Sequence, residues 1–360
     1  MGFFSHDGAK SSARCRNHGI IMKIASFLFP QSQYPADDGR TIQETLQEAT
    51  LAEEIGVDAL FLAEHHFDGN SAYVDPPTFA AALSAMTTRI KIGFAVLQTS
   101  LYHPLRLTEQ LSLLDHISQG RLIVGLGRGS MVNLYEYVAY EIDPDEAQER
   151  FEEIEKIMLD CWTQERVVHN GKYWNFDIPY LRPRPFTNPH PQILRAVTSE
   201  VSIKAQGRRG RPVILPPGPN EATARQIGWF KAGMADAGFK VEAIEEALRQ
   251  SWVMRQTVIA DTDEIAMTEG LGYYRSMQAF RSAQSPGYRD MVMGDSAAAL
   301  PRGLVVGAPD SVREHFVELA KLGIGGVALR LRVGPMPVAF SMNALRLFMN
   351  EIAPALPNNA

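Results

Sequence analysis

Cysteine is nearly absent: the 360-residue chain holds two, Cys15 and Cys161. Two cannot build a disulfide framework or a cysteine-rich metal site, and so few fit a reducing, cytoplasmic setting. Long apolar runs are missing too; none approaches the ~18 residues of a membrane-spanning helix. No basic face or tail is present, and a net charge of −6 argues against nucleic acid as the main partner. The glycine run Gly125-Leu126-Gly127-Arg128-Gly129 is not the GxGxxG dinucleotide fingerprint. Residues 1–21 are polar, mixed in charge and without the apolar centre of a signal peptide, and His6 stands where a myristoylation signal wants Ser or Thr. They are expected to form a disordered tail, with one domain running from Met22 to Ala360.

Apolar residues at 45% and charged ones at 21% are ample for a large core, and the length suits one α/β barrel. Lys23–Phe29 reads as a first strand, followed by a helix opened by a Thr41/Glu44 capping box. Val57–Phe67, VDALFLAEHHF, begins as a buried strand and ends in Glu64, His65 and His66. Helices from Pro76 and Pro104, strands at Ile90–Leu97 and Leu122–Leu126, and a helix over Asp145–Trp162 continue the alternation. Strands at Gln192–Val197, Pro212–Leu215, Trp252–Ile259 and Val327–Leu331 bring the number to eight. Strands interleaved with helices predict a (β/α)8 TIM barrel rather than an open sheet. Two long segments break the repeat. Gln164–Pro191 is expected as an insertion with a short hairpin over the barrel mouth, and Asp261–Gly303 as an active-site lid.

In such a barrel the C-terminal ends of the strands carry the chemistry. Glu64, His65 and His66 end the second strand. Arg106 falls in the first turn of the helix after the third, Arg128 follows the fourth, and Thr198, Ser199 and Ser202 follow the fifth. Hydroxyls at a helix N-terminus beside two arginines would make a phosphate cradle. Singly, the same residues serve as N-caps and surface ion pairs. No metal is expected, because adjacent histidines on a strand face opposite ways.

The segments LFLAEHHF, YHPLRLTEQLSLLDHISQGRLIVGLGRG and VVGAPDSVREHF, with Ser199 and Ser202, resemble the bacterial-luciferase-like flavin-dependent monooxygenases. The resemblance spans roughly Met22 to Ile352 and is weak from Asp261 to Gly303. It implies a dimeric barrel that binds reduced FMN, supplied by a separate NAD(P)H:flavin reductase. Oxygen then forms a flavin 4a-hydroperoxide that oxidises an aldehyde, ketone or other small organic substrate. It assigns catalysis to His65 with Glu64 and His66 beside it, and the flavin phosphate to Arg106, Arg128, Ser199 and Ser202. Thr198 stands where luciferases carry glutamate. A non-prolyl cis peptide at Ala95–Val96, beside the flavin ring, is also implied. An F420-dependent oxidoreductase of the same barrel family and a non-catalytic flavin-binding relative are the alternatives. Phe27, Phe29, Gln98, Tyr102 and Tyr135 are pocket candidates. The apolar third helix and the alanine-rich second are the expected homodimer face.

Overall fold

The computed structural model describes residues 22–129, 134–284 and 303–357, so the expected N-terminal tail lies outside the described residues. Eight parallel strands close into a barrel: β1 (Lys23–Leu28), β2 (Ala59–Leu62), β3 (Lys91–Phe94), β5 (Leu122–Gly127), β8 (Gln192–Ala196), β9 (Val213–Leu215), β10 (Trp252–Ile259) and β12 (Gly326–Arg330). The ring shuts where β9 pairs with β10, and β12 pairs with both β10 and β1. Four pieces stand outside the ring. The two-residue β4 (Leu97–Gln98) pairs with the end of β5, β6 (Val167–Asn170) and β7 (Asn175–Ile178) form a hairpin, and β11 (Leu304–Gly307) pairs with the far half of β10. The barrel expectation is met.

Helices α1 (Asp38–Glu54), α2 (Pro76–Met86), α3 (Pro104–Ile117), α4 (Leu134–Ala139), α5 (Ala147–Thr163), α6 (Glu200–Arg208), α7 (Asn220–Asp236) and α8 (Val241–Arg249) precede a helical insertion and the last two helices, Pro309–Lys321 and Val338–Leu347. Proline at N1 of α2 and α3 costs no hydrogen bond there. Helix α1 starts earlier than its expected capping box, at Asp38. Thr41 is buried inside it and Glu44 pairs with Arg332 rather than capping. Among the described residues, no helix is long and apolar enough to cross a membrane.

Small and large residues alternate inside the barrel. Ala25, Ala59 and Ala328 make room for Phe61 and Trp252, whose rings meet edge-on at 5.0 Å. A larger layer between strands and helices includes Leu60, Leu62, Phe94, Leu107, Leu111, Phe151 and Phe316. Beyond the facing pair Gly93 and Ile123, the chain inserts Phe94-Ala95-Val96 against Val124-Gly125 before Leu97 meets Leu126. The extra residue is a bulge, and such a bulge re-aims side chains at a barrel rim. The expected cis peptide Ala95–Val96 lies within it.

The expected hairpin is present and packs on the first turns of α5, whose Gln148, Phe151 and Glu152 line the cavity at the mouth. It lies along α5: His169 bonds Glu153 at 2.9 Å, Tyr173 bonds Glu149 at 2.9 Å, and Arg150 stacks on the Tyr173 ring at 4.4 Å. Glu153 also accepts backbone N–H groups from Lys172, Tyr173 and Trp174. The turn is thus capped by α5 carboxylates, which hold it against that helix. The described part of the second insertion is helical, running through Asp263–Ile265, a π-helical turn at Ala266–Gly270 and Leu271–Gln284. Its Leu271, Tyr274 and Met277 pack on Val258, Val333 and Met336 beside the end of β10.

Two tests follow from this packing. A Cβ on Gly125 would sit 1.7 Å from the Phe94 carbonyl oxygen. Gly125→Ala is therefore expected to lose about 3 kcal/mol or more in urea unfolding, and an unchanged midpoint would refute the close approach. At the opposite end, Glu53 accepts N–H groups from Thr88, Arg89 and Ile90 at the entry to β3. Burial pushes its carboxyl up, but those donors outweigh it and pull the group down to about 2. The folded value is depressed, so the contribution is present above the ordinary carboxyl range and fades between about pH 4.5 and 2. Solvent screening limits it to about 1 kcal/mol. Glu53→Gln should lose that margin at neutral pH and match the parent near pH 2.

Candidate active site

The chain leaves β2 at Leu62 and delivers Ala63, Glu64, His65 and His66 to the C-terminal rim. Period-two alternation sends Glu64 and His66 one way and His65 the other. Glu64 is buried and collects donors from three segments. His66 Nε2 lies 2.8 Å from its Oε1, the Tyr102 hydroxyl donates to the same oxygen at 2.8 Å, and the Gln98 N–H donates to Oε2 at 2.7 Å. The Gln98 side chain returns a bond to the Glu64 carbonyl at 3.1 Å. The Tyr140 hydroxyl meets His66 Nδ1 at 3.1 Å, so both ring nitrogens of His66 are committed. Burial, then the Glu64 charge, raises the Tyr102 hydroxyl well above its ordinary range, keeping it a donor.

His65 faces a cavity of about 890 Å³, within the range of small-molecule sites. Its side chain is 26% exposed, its Nδ1 lies 3.4 Å from Glu136, and its ring stands 5.2 Å from that of Phe29. The wall near His65 is mainly apolar, with Phe27, Ala63, Ala95 and Val96, and carries Glu64 and Gln98. The rest of the lining is polar and mainly cationic: Arg128 next to Gln98, and Thr198, Ser199, Ser202, Arg195 and Arg209 at the end of β8 and the start of α6, with Glu152. At the head of α6 the Ser199 hydroxyl accepts the Ser202 N–H at 3.2 Å, and the Ser202 hydroxyl accepts the Ser199 N–H at 3.1 Å. This reciprocal cap sits at the positive end of the helix dipole, with arginines near.

Most residues expected at the site are brought together here. Glu64, His65, Ala95, Val96, Arg128, Thr198, Ser199 and Ser202 line the one cavity, with Phe27 and Gln98. Five do not reach it. His66 is turned to Glu64 and Tyr140, Phe29 and Tyr102 stand behind the wall, and Tyr135 is not among the lining residues. The expected phosphate ligand Arg106 is a correction. Its side chain is 72% exposed and pairs with Glu109 at 3.3 Å, because the first turn of α3 points it away from the barrel axis.

Arg195, Arg209, Glu136 and Tyr140 were not anticipated. An arginine inside the buried strand QILRA was a signal that could have been followed. Arg195 packs 4.1 Å over the Phe151 ring and pairs with Glu155 at 3.5 Å; burial pushes its guanidinium down and Glu155 opposes that. Glu136 lay in LYEYVA, an undistinguished helix in sequence, and is fully buried beside both histidines.

A phosphorylated flavin fits this donor set. The cationic, hydroxyl-bearing side suits a phosphate and the apolar side an aromatic ring. The buried Oε1 of Gln98, on the cavity wall, has no hydrogen-bond partner among the described residues, so it suits a ligand N–H.

The family model for luciferase-like monooxygenase matches residues 22–325. The monooxygenase RslO1 from Streptomyces bottropensis superposes with a TM-score of 0.80 at 31% identity, over 92% of this chain and 99% of that one. The FMN-bound oxygenating constituent of 3,6-diketocamphane monooxygenase from Pseudomonas putida superposes with a TM-score of 0.75 at 21% identity, over 94% and 99%. An F420-dependent glucose-6-phosphate dehydrogenase from Nakamurella multipartita is 26% identical over 86% of this chain and 91% of its own.

The placement of the arginines is tested by titrating FMN and riboflavin side by side. Arg128→Ala is expected to weaken FMN by about 1.5–3 kcal/mol, the range for a bond to a charged group, and to spare riboflavin. Arg106→Ala should leave both affinities unchanged; a selective loss of FMN in that variant would restore Arg106 to the site.

Proposed function

Because the chain belongs to the luciferase-like monooxygenase family, we propose that it binds reduced FMN and uses oxygen to oxidise a small organic substrate such as an aldehyde or ketone. The observation that carries this reading is a single cavity lined both by His65 on an apolar wall and by a hydroxyl-rich, cationic helix N-terminus. Reduced flavin, when bound, supplies the two electrons that activate oxygen. The protein holds, orients and shields.

Arg128, Thr198, Ser199 and Ser202 take the phosphate. Ser199 and Ser202 already point their hydroxyls at one another, so an anion takes over donors that are in place. Ala95, Val96, Phe27 and Ala63 form the dry wall for the ring, and the Gln98 carbonyl accepts from it. His65 moves the proton, and Glu64 and His66 brace the rim behind it. A separate NAD(P)H:flavin reductase supplies the electrons; the related camphane enzyme is likewise described as an oxygenating constituent. Two copies pair through α2 and α3, where Met86, Leu113 and Ile117 are exposed.

The F420-dependent relative supports a second reading, hydride transfer to or from F420 without oxygen. Oxygen uptake with reduced FMN, across a panel of aldehydes, ketones and aromatics, separates the two. Stimulated uptake with oxygenated product is expected. Uptake that no substrate alters, beside F420-linked turnover, would overturn the first reading. His65→Ala should keep fold and FMN affinity, slow turnover roughly 10²–10⁴-fold and release peroxide in place of product. Normal product per oxygen in that variant, with collapse in His66→Ala, would move the role to His66.

A further inference from the structure

Helix α4 is six residues long, yet it is tied to two strand ends. Its Glu136 reaches the end of β2, where Oε1 accepts the His66 N–H at 2.8 Å and lies 3.4 Å from His65 Nδ1. The Tyr137 hydroxyl donates to the Arg128 carbonyl beyond β5, and Tyr140 meets His66 Nδ1. The helix therefore bridges the histidine side of the cavity and its Arg128 side. Glu136 is fully buried. Burying a carboxylate costs several kcal/mol (roughly), and a neutral acceptor would anchor the His66 N–H for less.

We propose that Glu136 is a positioning residue that sets the tautomer of His65. One carboxylate oxygen holds the backbone of His66 and the Nδ1–H of His65 together. The bond at Nδ1 decides which ring nitrogen carries the proton, and it leaves the Nε2 lone pair as the one that accepts. The comparison within the site supports His65 as the ring so tuned. His66 has both nitrogens engaged by Glu64 and Tyr140, whereas His65 lines the cavity. Phe29 packs against the His65 ring at 5.2 Å and limits its rotation, so the carboxylate and the aromatic ring together fix its orientation. The catalytic consequence rests on the His65 reading above; the tautomer itself does not.

The test uses the full chain without flavin, labelled with nitrogen-15 at histidine, in neutral to mildly alkaline buffer. The two imidazole nitrogens of His65, assigned by their loss in His65→Ala, report which one is protonated. The proton is expected on Nδ1 in the parent protein. Glu136→Gln keeps an acceptor and should keep that tautomer. Glu136→Leu, of similar size without an acceptor, should move the proton to Nε2. Product formed per oxygen consumed, with reduced FMN and a substrate from the panel that stimulates the parent, should then fall at least tenfold in Glu136→Leu and about threefold or less in Glu136→Gln, with FMN affinity changed less than threefold in both. A parent His65 protonated on Nε2 overturns the proposal even if no variant folds, and so does a Glu136→Leu protein with unchanged nitrogen shifts. Unaltered turnover in His65→Ala, with the expected shifts in place, overturns the catalytic reading of His65 and leaves the Glu136 assignment standing.

Discussion

The rim depends on one buried carboxylate. Glu64 draws onto its two oxygens a histidine two residues along its own segment, and a backbone amide and a tyrosine 34 and 38 residues further on. A carboxylate taken from water is tolerable only if its lone pairs are filled, and here protein donors fill them. The cost enforces geometry: β2, the β4 segment and the loop before α3 hold one relative position, and His65 is left on the cavity side of the strand. With that knot in place, the bulge at Ala95–Val96 forms the neighbouring wall and Gln98 turns its amide toward the same space.

Much of this was legible in the sequence because barrels repeat. The strand–helix alternation predicted the ring, and the strand expected at Trp252–Ile259 is found with those bounds. The motif ends also converged, since residues that finish parallel barrel strands meet at one rim whatever their separation along the chain. Arg106 misled because position in a first helical turn says nothing of azimuth. The helix presents it to solvent with Glu109. Glu136 and Arg195 were hidden for the converse reason. Each is a charged residue whose partners come from other elements, so only the fold pairs Glu136 with the histidines and Arg195 with Phe151 and Glu155. The hairpin's anchors, Glu149 and Glu153, read in sequence only as the solvated face of α5.

The two sides of the cavity divide the work. The aromatic and alanine side offers an apolar wall and keeps one imidazole at its edge. The α6 side is polar before any ligand arrives: its serines satisfy one another, while Arg195 and Arg209 crowd about Glu155. Three guanidiniums, counting Arg211, gather on one buried carboxylate and leave this end positive. On the proposed reading an anionic tail would be drawn to it, and FMN and F420 differ in the length and charge of that tail.

The central claim is that this cavity is built for reduced FMN. Anaerobic titration of the protein with reduced FMN and with reduced F420, followed by flavin fluorescence, addresses it most directly. The account predicts saturable, one-to-one binding of reduced FMN, at least tenfold tighter than F420. Tight binding of F420 with weak or no binding of FMN would contradict it.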